Sequence, residues 1–340
     1  MRIAITKNAA DETVASQFVQ KIKDDAKMGV IRRYAPTIVL VVMTLFSMIF
    51  VPGFMSWKNL NNLLYQMTLP LVLATGLTFV LLIGGIDLSL EGVMGFSGSI
   101  FALLVLNSKN GNNLGFLAVL IVVASGFLIG ATNGILHVKL RIPSFMITFA
   151  MASIVKGFGV LSYRSIPATI RSESIIALSR NSLFGVIPYM TLIAMGIFFV
   201  GVIILNYTAF GRAVYAIGDN ELSARAAGIN IDRVKIGVFT FCGVMISIAG
   251  LLGAIRLKIG NVEIGYSQLF PTIAAVTVGG IYPGTGGMLQ TIIGVLIYTE
   301  LSNYLTLMGV NTFYKQAIQG IIILVAVALS ATRNRKTIVK

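Results

Sequence analysis

The sequence predicts an all-α, polytopic integral membrane protein of about ten membrane-spanning helices, and three observations carry that expectation. Hydrophobic residues make up 56% of the 340-residue chain and charged residues only 11%, with a mean hydropathy of +0.89; a soluble domain runs at about a quarter charged. The apolar residues gather into runs nearly free of charge, of the length that crosses roughly 30 Å of hydrocarbon at about 20 residues per helix. The cations concentrate between alternate runs, as expected when one membrane face retains the basic loops.

Taken in order, residues 1–34 form an amino-terminal segment of mixed charge. It lacks the short basic head of a cleavable signal, so it is expected to stay in the mature chain on the cytoplasmic side. Within it Val14, Phe18 and Ile22 recur every four residues, the pattern of a helix lying along the membrane surface, with a solvated tail as the alternative. Spans are then expected at 35–51, 62–83, 93–106, 115–136, 142–162, 186–205, 236–255, 269–281, 288–307 and 313–331. The third and eighth are short and flanked by glycine, which suits broken or re-entrant segments enclosed in protein. Residues 35–331 thus make one transmembrane domain, and 332–340 a basic cytoplasmic tail.

With the amino terminus inside, Arg32, Arg33, Lys139, Arg141, Arg212, Arg225, Arg233, Lys235, Arg333 and Lys336 all fall on the cytoplasmic face. The formal net charge of +14 is then mostly topology, and nucleic-acid binding loses its support. A single cysteine, Cys242, excludes an intramolecular disulfide, and with a single histidine, His137, no Cys- or His-built metal site is expected. No GxxxxGK[ST] motif exists, and GTGGM at 284–288 lacks the lysine that holds phosphate, so the chain has no evident means of hydrolysing ATP. No catalytic constellation or cofactor is expected either.

The longest cytoplasmic loop, 206–235, carries a helix signal of its own. Asp219 and Asn220 are N-cap types ahead of ELSARAA, Glu221 and Arg225 stand at i,i+4, and Gly228 suits the C-terminal turn. A short helix held between two spans would serve as a rigid lever for a cytoplasmic partner; a solvated connector is the alternative. Two glycine breaks, LLIGGIDLSLEGVMG at 81–95 and VTVGGIYPGTGGMLQ at 276–290, match at one offset, Gly84, Gly85 and Gly92 against Gly279, Gly280 and Gly287. They read as interrupted helices of the kind transporters place around a cavity, or as a chance repetition of glycine-rich turns. Four charges fall at or near membrane depth: Asp87 and Glu91 at the first break, Lys156 in the fifth span and Glu300 in the ninth. Lys156 and Glu300 sit at similar depth by helical rise, so an ion pair between them is expected, against snorkelling of Lys156 and a misplaced span end at Glu300.

LTFVLLIGGIDLS at 77–89, NGILHVKLRIPSFMITFAMASIVKG at 133–157, FGRAVYAIGDNELSARAAGIN at 210–230 and TIAAVTVGGIYPGTGG at 272–287 occur in an order that resembles a known family. The chain is similar, over roughly residues 60–330, to permease subunits of ATP-binding-cassette importers for ribose and other monosaccharides, within the wider branched-chain amino-acid and ribose permease group. The resemblance implies a ten-helix permease of the cytoplasmic membrane forming half of a translocation pathway. It also implies a second permease, identical or homologous, separate ATPase subunits, and an extracytoplasmic sugar-binding protein. It assigns Asn220, Glu221, Ala224, Arg225, Gly228 and Ile229 to the segment that meets the ATPase. Lys156 stands where the family commonly has arginine. Glu91 and Asp219 stand in place of usual glycines, and Glu300 in place of an uncharged residue; these departures point to an altered cargo or to a non-identical second permease.

Two other readings of function stay open at this stage, beside that of a purely structural membrane scaffold. One keeps the permease but changes its cargo to nucleosides or branched-chain amino acids. The other is a secondary transporter driven by an ion gradient, which interrupted helices and buried charges alone would support.

Overall fold

The computed structural model describes residues 34–311, 314–315, 317–318 and 320–321. The expected surface helix around Val14, Phe18 and Ile22, the carboxy-terminal tail and most of the tenth span lie outside the described residues.

The described chain is mainly helical, with four two-residue strands. Helix α1 (Tyr34–Phe50) precedes α2 (Trp57–Leu82), α3 (Leu90–Leu104), α4 (Phe116–Leu140) and α5 (Ser144–Tyr163). A loop with β1 (Ala168–Thr169), α6 (Glu173–Arg180), β2 (Ser182–Leu183) and β3 (Ile187–Pro188) leads to α7 (Tyr189–Tyr207). Then come α8 (Ala209–Asp219), α9 (Glu221–Ala226), α10 (Ile231–Leu257), β4 (Ile259–Gly260), the 3-10 turn η1 (Val262–Gly265), α11 (Leu269–Gly279) and α12 (Met288–Leu307). Among the described helices α2, α4, α5, α7 and α10 are each long and apolar enough to cross a membrane. The two expected short elements are short: α3 has 15 residues and α11 has 11.

Burial sorts these helices into layers. α2 and α10 are enclosed by their neighbours, while α4, α5 and α7 leave most of their apolar surface open, as suits contact with lipid. Lipid tails are as apolar as leucine, so helix association in a membrane depends on close backbone approach and on polar contacts. Both devices are present. Gly126, Gly130 and Gly134 line one face of α4 at four-residue spacing and lie against Phe239, Gly243, Ser247 and Ile236 of α10, so closely that any side chain would strike the facing backbone or side chain. On α2, Thr78 shares a 2.7 Å hydrogen bond with Thr291 of α12. The buried amides of Asn59 and Asn303 exchange two hydrogen bonds of 2.9 and 3.0 Å.

That amide pair gives a direct test of polar association. Asn59→Leu leaves Asn303 unpaired, and the chain purified in detergent should lose about 1–2 kcal/mol in thermal unfolding; Asn59→Leu with Asn303→Leu should recover much of it.

The membrane face away from α8 and α9 is stitched by extended backbone. β1 pairs antiparallel with β4, Ala168 opposite Gly260, and a bridge joins Asn107 to Ile170. These bonds tie the far ends of α3, α5 and α10 together. The small hairpin of β2 with β3 starts α7 at Tyr189, three residues beyond the expected 186, because Pro188 occupies its N-cap.

Candidate functional site

The face carrying α8 and α9 gathers most of the sequence-derived candidates into one junction. Thr208 caps α8, its hydroxyl accepting from the Gly211 N–H at 3.2 Å. Asn220 ends α8 and begins α9, accepting from the Ser223 N–H at 2.9 Å. It alone is the N-cap, for Asp219 is still in the last turn of α8. At the far end Gly228 adopts φ +83°, with its N–H on Arg225 O at 3.0 Å and the Ile229 N–H on Ala224 O at 3.1 Å. This is the double bond of a Schellman turn, a left-handed position that glycine fills without a Cβ penalty. The rigid element is completed from outside, because Glu221 meets Lys235 of α10 at 2.7 Å and Arg225 only at 3.8 Å.

The two glycine breaks end their helices by the same Schellman geometry. In the first, Gly84 N–H bonds Leu81 O at 3.0 Å and Gly85 N–H bonds Val80 O at 2.9 Å; in the second, Gly280 bonds Thr277 O at 3.0 Å and Ile281 bonds Val276 O at 3.3 Å. The left-handed residue is Gly84 in one and Gly280 in the other, the first glycine of one pair and the second of its match. Gly85 and Gly279 instead admit close neighbours: Val80 and Phe239 in the first case, Gln290 and Gly294 in the second. The sequence match is therefore out of structural register by one residue.

These breaks meet each other and α8. The Gly284 N–H donates to Leu82 O, the last residue of α2, at 2.9 Å, while Tyr215 of α8 donates its hydroxyl to Gly286 O at 2.9 Å. Gly218 of α8 is pressed against both Leu82 O and the Gly284 backbone, where no Cβ fits. Half-burial raises the Tyr215 phenol above its ordinary pKa, which reinforces the neutral form that donates to that carbonyl. α8 thus touches the end of α2 and the turn between α11 and α12 through the backbone at Gly218 and through the Tyr215 hydroxyl.

The charged candidates do not form one site. Asp87 is fully buried just beyond the first break, its Oδ1 accepting from the Ser89 N–H at 2.8 Å and the Ser89 hydroxyl at 2.6 Å. Asn133 of α4 donates to the same Ser89 oxygen at 3.2 Å, and the thiol of Cys242 on α10 lies beside the carboxyl. Asp87 is therefore a knot joining the break to α4 and α10. Thr148 and Ser144 of α5 accept from the Leu88 and Ile86 N–H groups at 2.9 and 3.1 Å, fixing the same strand of irregular backbone. Glu91, in the first turn of α3, reaches the Leu269 N–H at the start of α11 at 3.5 Å.

The expected Lys156–Glu300 pair is not formed. Lys156 meets Glu263 of η1 at 3.6 Å, and Glu300 accepts from Thr44 of α1 at 2.8 Å, with buried Ser47 facing the same carboxyl. Equal depth does not fix direction around a helix: α5 packs on α3, α4 and η1, whereas α12 packs on α11, α2 and α7. Two residues escaped the sequence reading. Leu222 projects from α9 with 80% of its surface exposed, although a leucine in a short helix would ordinarily be assigned to the core. Glu263 lies between two expected spans, and no pattern in NVEIGYSQ announces that it folds back against α3.

Comparison with known proteins agrees with this architecture. Residues 59–327 match the model of a family described as branched-chain amino acid transport system / permease component. The ribose import permease protein of Bacillus subtilis is 31% identical over 311 residues, spanning 90% of this chain and 95% of that protein. The L-arabinose ABC transporter permease protein of Azospirillum brasilense is 30% identical over 308 residues, 88% of each chain. The galactose/methyl galactoside import permease protein of Escherichia coli is 29% identical over 320 residues, 88% of this chain and 93% of that one. No solved structure matches. The multi-pass helical fold, the glycine-ended helices and a family match covering most of the sequence lead to one conclusion: the chain belongs to the branched-chain amino acid transport system / permease component family, as a membrane transport subunit.

Proposed function

We propose that this chain is the permease subunit of an ATP-binding-cassette importer for a monosaccharide, forming half of the translocation pathway in the cytoplasmic membrane. The relatives named for ribose, arabinose and galactose, each aligned over most of its length, support the cargo class. ATP is hydrolysed by separate subunits, an extracytoplasmic binding protein delivers the sugar, and a second permease, identical or homologous, closes the pathway. The excess of Lys and Arg beside α4, α8, α9 and α10 supports placing that face, and both termini, in the cytoplasm.

The observation that carries the coupling mechanism is the seating of α8 on both glycine turns. On this reading α9 is the docking element for the ATPase and α8 is the lever. Of the six residues assigned to coupling, Ala224 is buried and Ile229 half-buried, so they hold α9 against the bundle. Asn220, Glu221 and Gly228 set its ends and its angle. Contact with the ATPase is left to Arg225 and to exposed Leu222, three residues apart on one side of the helix. An exposed leucine beside a cation suits a partner groove that is apolar with an acidic rim.

The test is co-purification of the assembled importer. Leu222→Asp and Arg225→Glu should each weaken ATPase association by roughly tenfold or more, without loss of the permease from the membrane. Gly228→Pro, which cannot adopt φ +83°, should tilt α9 and do the same. Wild-type association and uptake in all three would refute the assignment.

A further inference from the structure

The pair Lys156–Glu263 is out of place for a surface that meets lipid. Its side chains are 51% and 59% exposed, although α5 is long and apolar enough to cross a membrane and η1 packs against α3. The depth follows from packing. Val262 lies against Gly95 of α3 and Gly265 against Glu91; these positions are roughly 14 and 20 Å, by helical rise, from the Leu104 end of α3. Glu263 therefore sits well below the membrane surface on backbone that is not α-helical, with Ser267 just beyond it at φ +60°. Irregular backbone at that depth is tolerated only when enclosed by protein or lining water, and an exposed carboxylate excludes acyl chains as its neighbour. Apolar protein is excluded as well, since it would strip water from both charges.

Two exposed groups beside the pair are polar, although Phe149, Ile154 and Phe158 of α5 are exposed as well. Ser153, three residues before Lys156 on α5, is exposed, and Tyr266, whose N–H bonds Glu263 O at 3.0 Å, is 64% exposed. An ion pair open to water is weakly held, so each partner exchanges readily with other hydrogen-bonding groups. The ammonium only donates and the carboxylate only accepts, while a hydroxyl does both. Together the pair carries no net charge. We infer that the α5–η1 face is the polar wall of the water-filled translocation pathway, and that Lys156 and Glu263 form on it a donor–acceptor station for the hydroxyls of a neutral polyol. The cargo half of this inference rests on the sugar-permease reading; the position of the water does not.

The test uses the importer assembled with its ATPase, binding protein and second permease in membrane vesicles. Glu263→Cys and Lys156→Cys are treated separately with a charged, membrane-impermeant methanethiosulfonate, against Ile203→Cys on the lipid-facing side of α7. The native Cys242 is buried and gives an unreactive background. A thiol in water should react roughly tenfold or more faster than one facing lipid, and whichever of D-ribose, L-arabinose or D-galactose is taken up should slow that reaction. Reaction no faster than at Ile203→Cys for both variants, with uptake intact in the unmodified assembly, overturns the inference and places the pair against protein or lipid. Rapid reaction in the variants, where the assembly with the unsubstituted permease takes up none of the three sugars, overturns the monosaccharide reading and leaves the water-facing wall standing. Rapid reaction that a transported sugar fails to slow retains the pathway and removes the station.

Discussion

Replacing Gly218 with valine should uncouple uptake from ATP hydrolysis while the importer still assembles. The new side chain has no space, because Leu82 O and the Gly284 backbone already touch the glycine. α8 must move outward, which breaks the 2.9 Å bonds joining Gly284 to Leu82 and Tyr215 to Gly286. α9 lies beyond this junction and keeps its own anchors, the Lys235–Glu221 pair and buried Ala224. ATPase association should therefore be near normal, while sugar uptake per ATP hydrolysed falls by roughly 5- to 150-fold, the range of a coupling free energy of about 1–3 kcal/mol. Tyr215→Phe removes one hydrogen bond without a wedge and should have a much smaller effect, within a few-fold. Uptake at the wild-type ratio in Gly218→Val would show that force does not pass through this contact.

Gly130→Leu should abolish the fold. Gly130 faces the Phe239 carbonyl and the Thr240 Cα, and Gly243 faces Gly130 in return, so neither helix offers a flexible side chain that could yield. α10 is the most enclosed of the candidate spans, and separating α4 from it opens the core along its length. The cost exceeds the usual ~1–3 kcal/mol of overpacking, because backbone rather than side chain must move. Detergent-extracted protein should lose its monodisperse peak in size-exclusion chromatography, with recovery down roughly tenfold. Gly196→Leu on α7, where a side chain meets open space, is the matched control and should behave as wild type.

The helices were legible because hydrocarbon demands long charge-free runs, a constraint strong enough to locate every described span. Caps were legible for a local reason. Asn220 and Gly228 act through backbone within three or four residues, so residue type and spacing carry the information. The glycine breaks were visible as breaks. Their encounter with α8 was not, because Gly218, Leu82 and Gly284 come together from three distant stretches of chain. Partners of buried charges were equally hidden: Glu300 chose Thr44 on α1, and Lys156 chose a residue on a fold-back turn. Hydropathy fixes depth and leaves azimuth to packing. Leu222 was missed for the opposite reason, since its apolar character argued for the interior while its place on α9 faces away from the bundle.

The account turns on α9 being where the hydrolytic subunit grips the permease, and site-specific crosslinking from Leu222→Cys in the assembled importer tests this most directly. A short crosslinker with one thiol-reactive and one photoreactive end should join Leu222→Cys to the ATPase subunit, and the joined complex should no longer take up sugar. If the ATPase is captured instead from a cysteine elsewhere on that face, such as Lys139→Cys, while Leu222→Cys gives no product in an active importer, the grip lies elsewhere and the lever described for α8 is wrong.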